Sequence, residues 1–159
     1  MFRLLGGIII VFSSFMYFRI KTEEIKMKIT LADGLISGFV ALEEQVCGLC
    51  LPIGRALYNA SYLSGRANAI FSKAADFDGG VFERFSQALQ TEKEFSCLVL
   101  PYVSGITAVE EEERRCSFSL IRARLEEKRN TLKKELDRLG RLYGVIGIPL
   151  GVLIVILLY

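Results

Sequence analysis

Two cysteines separated by two residues, Cys47 and Cys50, form the motif of this chain most suggestive of metal or redox chemistry. A structural zinc site needs further ligands, usually a second cysteine pair or histidines. The chain has no histidine, and its remaining cysteines, Cys97 and Cys116, stand alone. A thioredoxin-like redox pair needs a strand and a helix around it, and that context is missing. We therefore interpret the pair as small apolar residues of an amphipathic helix. A membrane-bound metal or thiol protein using Cys47 and Cys50 is the alternative function.

An acidic run, Glu110 to Glu113, is the second pattern with possible chemistry, as a carboxylate or metal site. Consecutive residues of a helix point in different directions, so these carboxylates do not converge on one ion. Acidic side chains at a helix start are favoured by the helix dipole, which is the simpler explanation. The absence of histidine also removes the commonest general base. We predict no catalytic, cofactor-binding or metal residue, and no enzyme.

Apolar runs without any charge occupy residues 4–18 and 142–159 of the 159-residue chain. As helices at about 1.5 Å per residue they would be roughly 22 and 27 Å long, close to a bilayer core of ~30 Å. A cleaved signal peptide also fits the first run, but no small-residue cleavage site follows it. The sequence therefore predicts transmembrane helices over residues 1–20 and 142–159.

Basic residues are concentrated on the inner flanks of both apolar runs. They are Arg19, Lys21, Lys26 and Lys28 after the first run, and Arg129, Lys133, Lys134, Arg138 and Arg141 before the second. Basic residues next to a span favour the cytoplasmic side. Residues 21–141 are thus predicted to form a cytoplasmic domain, with both termini outside.

Small residues within the two predicted spans are candidates for close helix packing. They are Gly6, Gly7, Ser13, Ser14, Gly144, Gly147 and Gly151. Residues such as Gly147 and Gly151, one turn apart, allow two membrane helices to approach closely. Glycine is also common in membrane helices without such a role, so both interpretations stay open.

The middle of the chain has the apolar spacing of helices, over residues 22–50, 52–62, 66–75 and 81–98. Breaks are predicted around Ser64 and Gly65, over 76–80 and over 101–105. Gly34 and Gly38 lie one turn apart in the first of these helices, which indicates either a close helix crossing or a weak point. Strand patterns are nearly absent, so the predicted fold class is all-α, a membrane-anchored helical bundle.

From about Ala108 the chain is predicted to be helical up to the second span. Apolar residues recur every seven positions at Phe118, Leu125, Leu132 and Leu139. Such a narrow stripe fits a helix that lies against one partner helix. That partner is either the helix over 22–50 or a helix of another copy.

The order of three stretches resembles the stage III sporulation protein AB family of endospore-forming bacteria. They are ALEEQV at 41–46 leading to LPIGRAL at 51–57, VFERFSQAL at 81–89, and RLYGVIGIPLGVLIVILL at 141–158. The resemblance spans nearly the whole chain, and it implies a non-enzymatic membrane component of the channel between mother cell and forespore. The expected location is the mother-cell membrane around the forespore.

The resemblance further implies partners for the domain 21–141. This domain would be similar to the helical domains of type II secretion and type IV pilus platform proteins. It would couple a cytoplasmic secretion-type ATPase to other membrane channel subunits, without nucleic acid, small-molecule substrate or cofactor. A platform-like protein of a secretion or pilus system outside sporulation is a further alternative. The sequence does not indicate which residues contact the ATPase.

Overall fold

The computed structural model describes the backbone of residues 2–143 and the side chains of residues 12, 13 and 15–143. Within this range every regular element is helical, which confirms the all-α prediction for this part of the chain. The α-helices are α1 (Phe2–Glu43), α2 (Ile53–Leu63), α3 (Asn68–Asp76), α4 (Val81–Ala88), α5 (Lys93–Val103) and α6 (Glu111–Leu142). A π-helical turn, Glu44–Gly48, and two 3-10 turns, Gly65–Ala67 and Ser104–Thr107, join them.

The first predicted span and the helix after it form one continuous helix, α1. Among the residues that are described, no helix offers a stretch both apolar enough and long enough for a bilayer. Most of the span's side chains, with Gly6, Gly7 and Ser14 among the residues concerned, lie outside the described side chains. The same holds for Gly144, Gly147 and Gly151 and almost all of 142–159, so both spans and their packing glycines stay predictions.

The chain divides into two compact units, one of residues 1–28 with 131–159 and the other of residues 29–130. Three phenylalanines from α1, α3 and α4 lie at the centre of the second unit. Phe39, Phe71 and Phe85 are almost fully buried, with ring centroids 5.3 to 5.9 Å apart. Aromatic pairs in such edge-to-face or stacked arrangements contribute about 0.5–1.5 kcal/mol each beyond their buried area. This cluster holds the three helices together.

Gly34 and Gly38 of α1 mark a close helix crossing, which decides between the two interpretations of this pair. A Cβ added at Gly34 would lie 2.9 Å from the backbone nitrogen of Ala67. A Cβ added at Gly38 would lie 2.9 Å from the Cβ of Ser64 and would overlap the ring of Phe71. The glycines therefore allow the chain between α2 and α3 to pack directly on the backbone of α1.

The apolar stripe of α6 is buried within this same chain from Phe118 to Leu132, and Leu139 is half-buried. Phe118, Ile121 and Leu125 are almost fully buried. On the flank of the stripe, Arg122 pairs with Glu43 of α1, and Lys128 pairs with Glu94 of α5 at 3.0 Å. The helix predicted over 22–50, which is part of α1, is thus a partner of α6. This was one of the two partners that the sequence allowed.

The predicted helix over 81–98 is instead two helices, α4 and α5. The chain turns between them, where the amide of Glu92 donates to the carbonyl of Leu89 at 2.9 Å. Because of this turn, Leu89 and Phe95 are both buried. The local apolar spacing alone does not predict a turn here. The break predicted at 101–105 begins later, because Pro101 lies within the last turn of α5.

Arg84 of α4 closes the loop that precedes its helix. Its guanidinium donates to the carbonyl oxygens of Ala74 and Ala75 at 3.0 and 2.9 Å and, through Nε, to that of Gly79 at 2.9 Å. Ala74 and Ala75 lie in the last turn of α3, whose carbonyls have no partner within the helix. One side chain therefore caps α3 and fixes the predicted loop over 76–80.

Candidate interaction surface

The two cysteines of the C-x-x-C motif lie in different environments. Cys47 is buried in the π-helical turn, whereas Cys50 is exposed beyond it, with a left-handed φ of 50°. Cys97 of α5 and Cys116 of α6 are also exposed. In the part of the chain that is described, no three His, Cys, Asp or Glu side chains are grouped to hold a metal ion. The motif therefore joins one core thiol to one surface thiol.

The acidic run lies at the start of α6, as the sequence interpretation expected. Glu111, Glu112 and Glu113 occupy its first turn and are exposed. Glu111 accepts a hydrogen bond of 2.8 Å from Nε of Arg115, one turn later. This hydrogen bond raises the pKa of the Arg115 guanidinium above its ordinary value. The carboxylates here complement the helix dipole and a neighbouring cation.

The outer side of α2 carries large apolar side chains that the domain does not cover. Ala56, Leu57 and Ala60 form its buried side. Tyr58 and Tyr62 on the opposite side are 53% and 66% exposed, and Leu63, the last residue of the helix, is 63% exposed. Exposed apolar residues grouped in this way mark protein-binding surfaces more often than scattered ones do. With Arg55, one turn before Tyr58, these residues are named here the tyrosine face.

The two tyrosines of this face hold one another in place. Their hydroxyl oxygens are 2.6 Å apart, and their rings meet edge to face with centroids 5.3 Å apart. The hydrogen bond from Tyr58 raises the pKa of Tyr62 above its ordinary value. Tyrosine is enriched at protein interfaces, and side chains ordered before binding lose less entropy when they bind. The pair is therefore a preorganised apolar contact with polar tips.

The segment of residues 45–75, which contains the tyrosine face, carries charged side chains of one sign. Residues 45–75 include no aspartate or glutamate, and their charged side chains are Arg55, Arg66 and Lys73. All three of these side chains are exposed. A binding partner that carries carboxylates around an apolar groove would match this surface in both charge and polarity.

Sequence reasoning did not single out the tyrosine face. Tyr58 and Tyr62 are four residues apart, and the spacing of Ala56, Leu57 and Ala60 already predicts which side of α2 is buried. Two aromatic residues on the side facing away from that core were the available indication. What the sequence alone did not show is whether another helix covers them.

Three aromatic rings join α1 to the residue that follows α6, within the unit of residues 1–28 and 131–159. The ring of Tyr143 stacks on that of Phe18, with centroids 4.2 Å apart and planes at 17°. Phe15 lies 6.1 Å from the same tyrosine. Phe18 belongs to the first predicted span and Tyr143 to the second. The end of the first predicted span therefore contacts the start of the second within one chain.

Comparison with known proteins gave one match, to a protein family. The model of the family described as stage III sporulation protein AB matches residues 3–159. This range covers α2 to α6 completely and all of α1 except its first residue. No curated protein and no solved structure matched. Since the family model covers nearly the whole chain, the protein belongs to the stage III sporulation protein AB family.

Proposed function

We propose that this protein is a non-enzymatic scaffold of the sporulation channel, coupling a cytoplasmic secretion-type ATPase to the membrane subunits. Family membership over residues 3–159 is the observation that carries this proposal, and it implies a role in the channel between mother cell and forespore. Membership also implies association with other subunits of that channel. The ATPase coupling and the platform-like role are the parts that we add.

The proposed anchor consists of two spans, 1–20 and 142–159, in the mother-cell membrane around the forespore. Their uncharged apolar composition and the basic residues on their inner flanks support this placement. The stack of Phe18 on Tyr143 supports pairing of the spans near the cytoplasmic surface, where aromatic rings are favoured. Residues 21–141 would then face the mother-cell cytoplasm, with both termini on the other side.

The proposed coupling route runs along α1 and α6. Each continues without interruption from residues next to its span into the domain. Ion pairs of Glu43 with Arg122 and of Asp33 with Arg129 fasten the two helices together inside the unit of residues 29–130. Helices fastened in this way move together more readily than separate ones, which suits a part that transmits force.

The tyrosine face is the proposed contact with the ATPase. Its exposed apolar area, its preorganised tyrosine pair and the exposed cation Arg55 beside them support this assignment. The matching surface would be an apolar groove with carboxylates at its rim. Interface tyrosines often carry a large share of the binding energy, so replacing Tyr58 and Tyr62 by alanine should weaken binding about tenfold or more.

Site-specific photocrosslinking in sporulating cells tests the contact. A crosslinking residue at Tyr62 should capture the ATPase, whereas one at Gln87, exposed on α4, should not. Capture at Gln87 without capture at Tyr62 would contradict the assignment of this face. Reporter fusions at Met1, Ala60 and Tyr159 test the topology independently, and a reporter at Ala60 that is active outside the cytoplasm would overturn the ATPase partnership itself.

A further inference from the structure

A groove lies along the last turns of α6, in the unit of residues 1–28 and 131–159. It has a volume of about 340 Å³ and is lined by Lys134, Asp137, Arg138, Arg141 and Leu142. The three cations follow one another at spacings of four and three residues, which places them on one side of the helix. With one carboxylate among them, the lining has an excess of positive charge.

The cations of this groove differ from those of α1 in the same unit. On α1, Lys21 and Lys26 pair with Glu24 and Glu23, both at 3.0 Å. No carboxylate of the described residues lies within ion-pair distance of any of the three groove cations. Asp137 lines the same groove without pairing with them. The positive charge of the groove is therefore available to an anion.

The composition of the groove indicates which anion. Arginine guanidinium groups match the oxygens of a phosphate with paired donors, and Arg138 and Arg141 lie one turn apart. Leu142 adds an apolar wall at the end of the groove, and the apolar run 142–159 begins with this residue. An apolar wall makes no favourable contact with a free phosphate. A phospholipid carries acyl chains next to its phosphate, and these can pack against Leu142.

We propose that this groove binds the phosphate headgroup of an anionic phospholipid, such as phosphatidylglycerol. This site rests on the proposed function, because a lipid reaches it only where residues 142–159 enter the bilayer. Basic pockets at the cytoplasmic end of a span are suited to such headgroups. A lipid held there would fix the depth and rotation of α6 at the membrane surface.

Native mass spectrometry of the purified full-length chain in detergent tests the site. Phosphatidylglycerol, phosphatidylcholine and inorganic phosphate are each added to the wild type and to three variants. The first, Lys134→Gln with Arg138→Gln and Arg141→Gln, removes the groove cations. The second, Arg66→Gln with Lys73→Gln and Lys93→Gln, removes as much charge from the unit of residues 29–130. The third, Asp137→Asn, removes the carboxylate from the groove.

The wild type and the charge-matched control should prefer phosphatidylglycerol to phosphatidylcholine. Loss of the three groove cations should weaken phosphatidylglycerol binding about a hundredfold, since each surface cation contributes about a fivefold factor. Asp137→Asn should strengthen it several-fold, a gain that misfolding does not produce. Equal binding by all variants, or inorganic phosphate that displaces the lipid completely, would overturn the lipid site alone. A chain that stays in solution without detergent would overturn the membrane anchor as well.

Discussion

Arg129 of α6 donates a hydrogen bond of 3.3 Å to the carboxylate of Asp33 of α1, across 96 positions of the chain. Further along the same helices, Arg122 pairs with Glu43. The residue number rises along α6 as it falls along α1, so the two helices run antiparallel. These contacts close the unit of residues 29–130 between its first and last helices.

Separating the Asp33–Arg129 pair should destabilise the domain only modestly. Both side chains are partly exposed, and pairs of this kind contribute about 0–1 kcal/mol. Asp33→Asn should therefore lower the free energy of unfolding, followed by circular dichroism of the full chain in detergent, by less than about 1 kcal/mol. Exchanging the two charges in Asp33→Arg with Arg129→Asp should recover part of the loss. A large loss from Asp33→Asn alone would show that the pair is more than a surface contact.

Alanine at Gly38 should destabilise the domain strongly, because its Cβ would overlap the ring of Phe71 and approach Ser64. Overpacking of this kind costs about 1–3 kcal/mol. Gly54 in α2 is the matched control, since nothing lies within 4 Å of a Cβ added there. Alanine at Gly54 should stabilise the helix by about 0.5–1 kcal/mol. Thermal unfolding measures both, and equal effects would mean that the close crossing at Gly38 is not formed.

Replacing the two phenylalanines of α4 by alanine should lower the stability of the domain by very different amounts. Phe85 is fully buried between Phe39 and Phe71, whereas Phe82 is 47% exposed. Phe85→Ala should cost about 3–5 kcal/mol, the usual range for a buried phenylalanine. Phe82→Ala should cost much less than Phe85→Ala. The comparison by chemical denaturation excludes a general effect of aromatic loss, and similar costs would contradict the assigned face of α4.

Tyr62 should ionise at a higher pH than an ordinary tyrosine. The hydrogen bond with Tyr58 raises its pKa, so the neutral form is favoured in the folded state. The resulting stabilisation is present below the unfolded pKa of about 10 and is lost as the pH rises through the higher folded value. Ultraviolet absorbance of tyrosinate follows the titration.

Replacing Tyr58 by phenylalanine supplies the control for this titration. The aromatic ring stays, but the hydroxyl that raises the pKa of Tyr62 is gone, so Tyr62 should ionise at a lower pH than in the wild type. If Tyr58→Phe leaves the titration of Tyr62 unchanged, the two hydroxyls do not pair in solution, and the tyrosine face is less ordered than its geometry shows.

The sequence by itself determined the all-α class of the described residues, the ends of α2 and α3 to within about two residues, and the family resemblance. These depend on local patterns, since apolar spacing, glycines and prolines act on residues within a turn or two of themselves. Pro52 and Gly65 bound α2 and its following turn where those patterns predict. The buried side of α2 follows from the same spacing.

Only the tertiary structure decided which surfaces meet. The stripe of α6 fits a helix of the same chain or of another copy equally well, and the contacts of Arg122 with Glu43 selected the former. Gly38 became a close crossing because Phe71, far along the chain, packs against it. The helix over 81–98 divided so that Leu89 and Phe95 could both be buried. These features depend on packing between residues distant in sequence. Local apolar spacing does not indicate which distant residues come into contact.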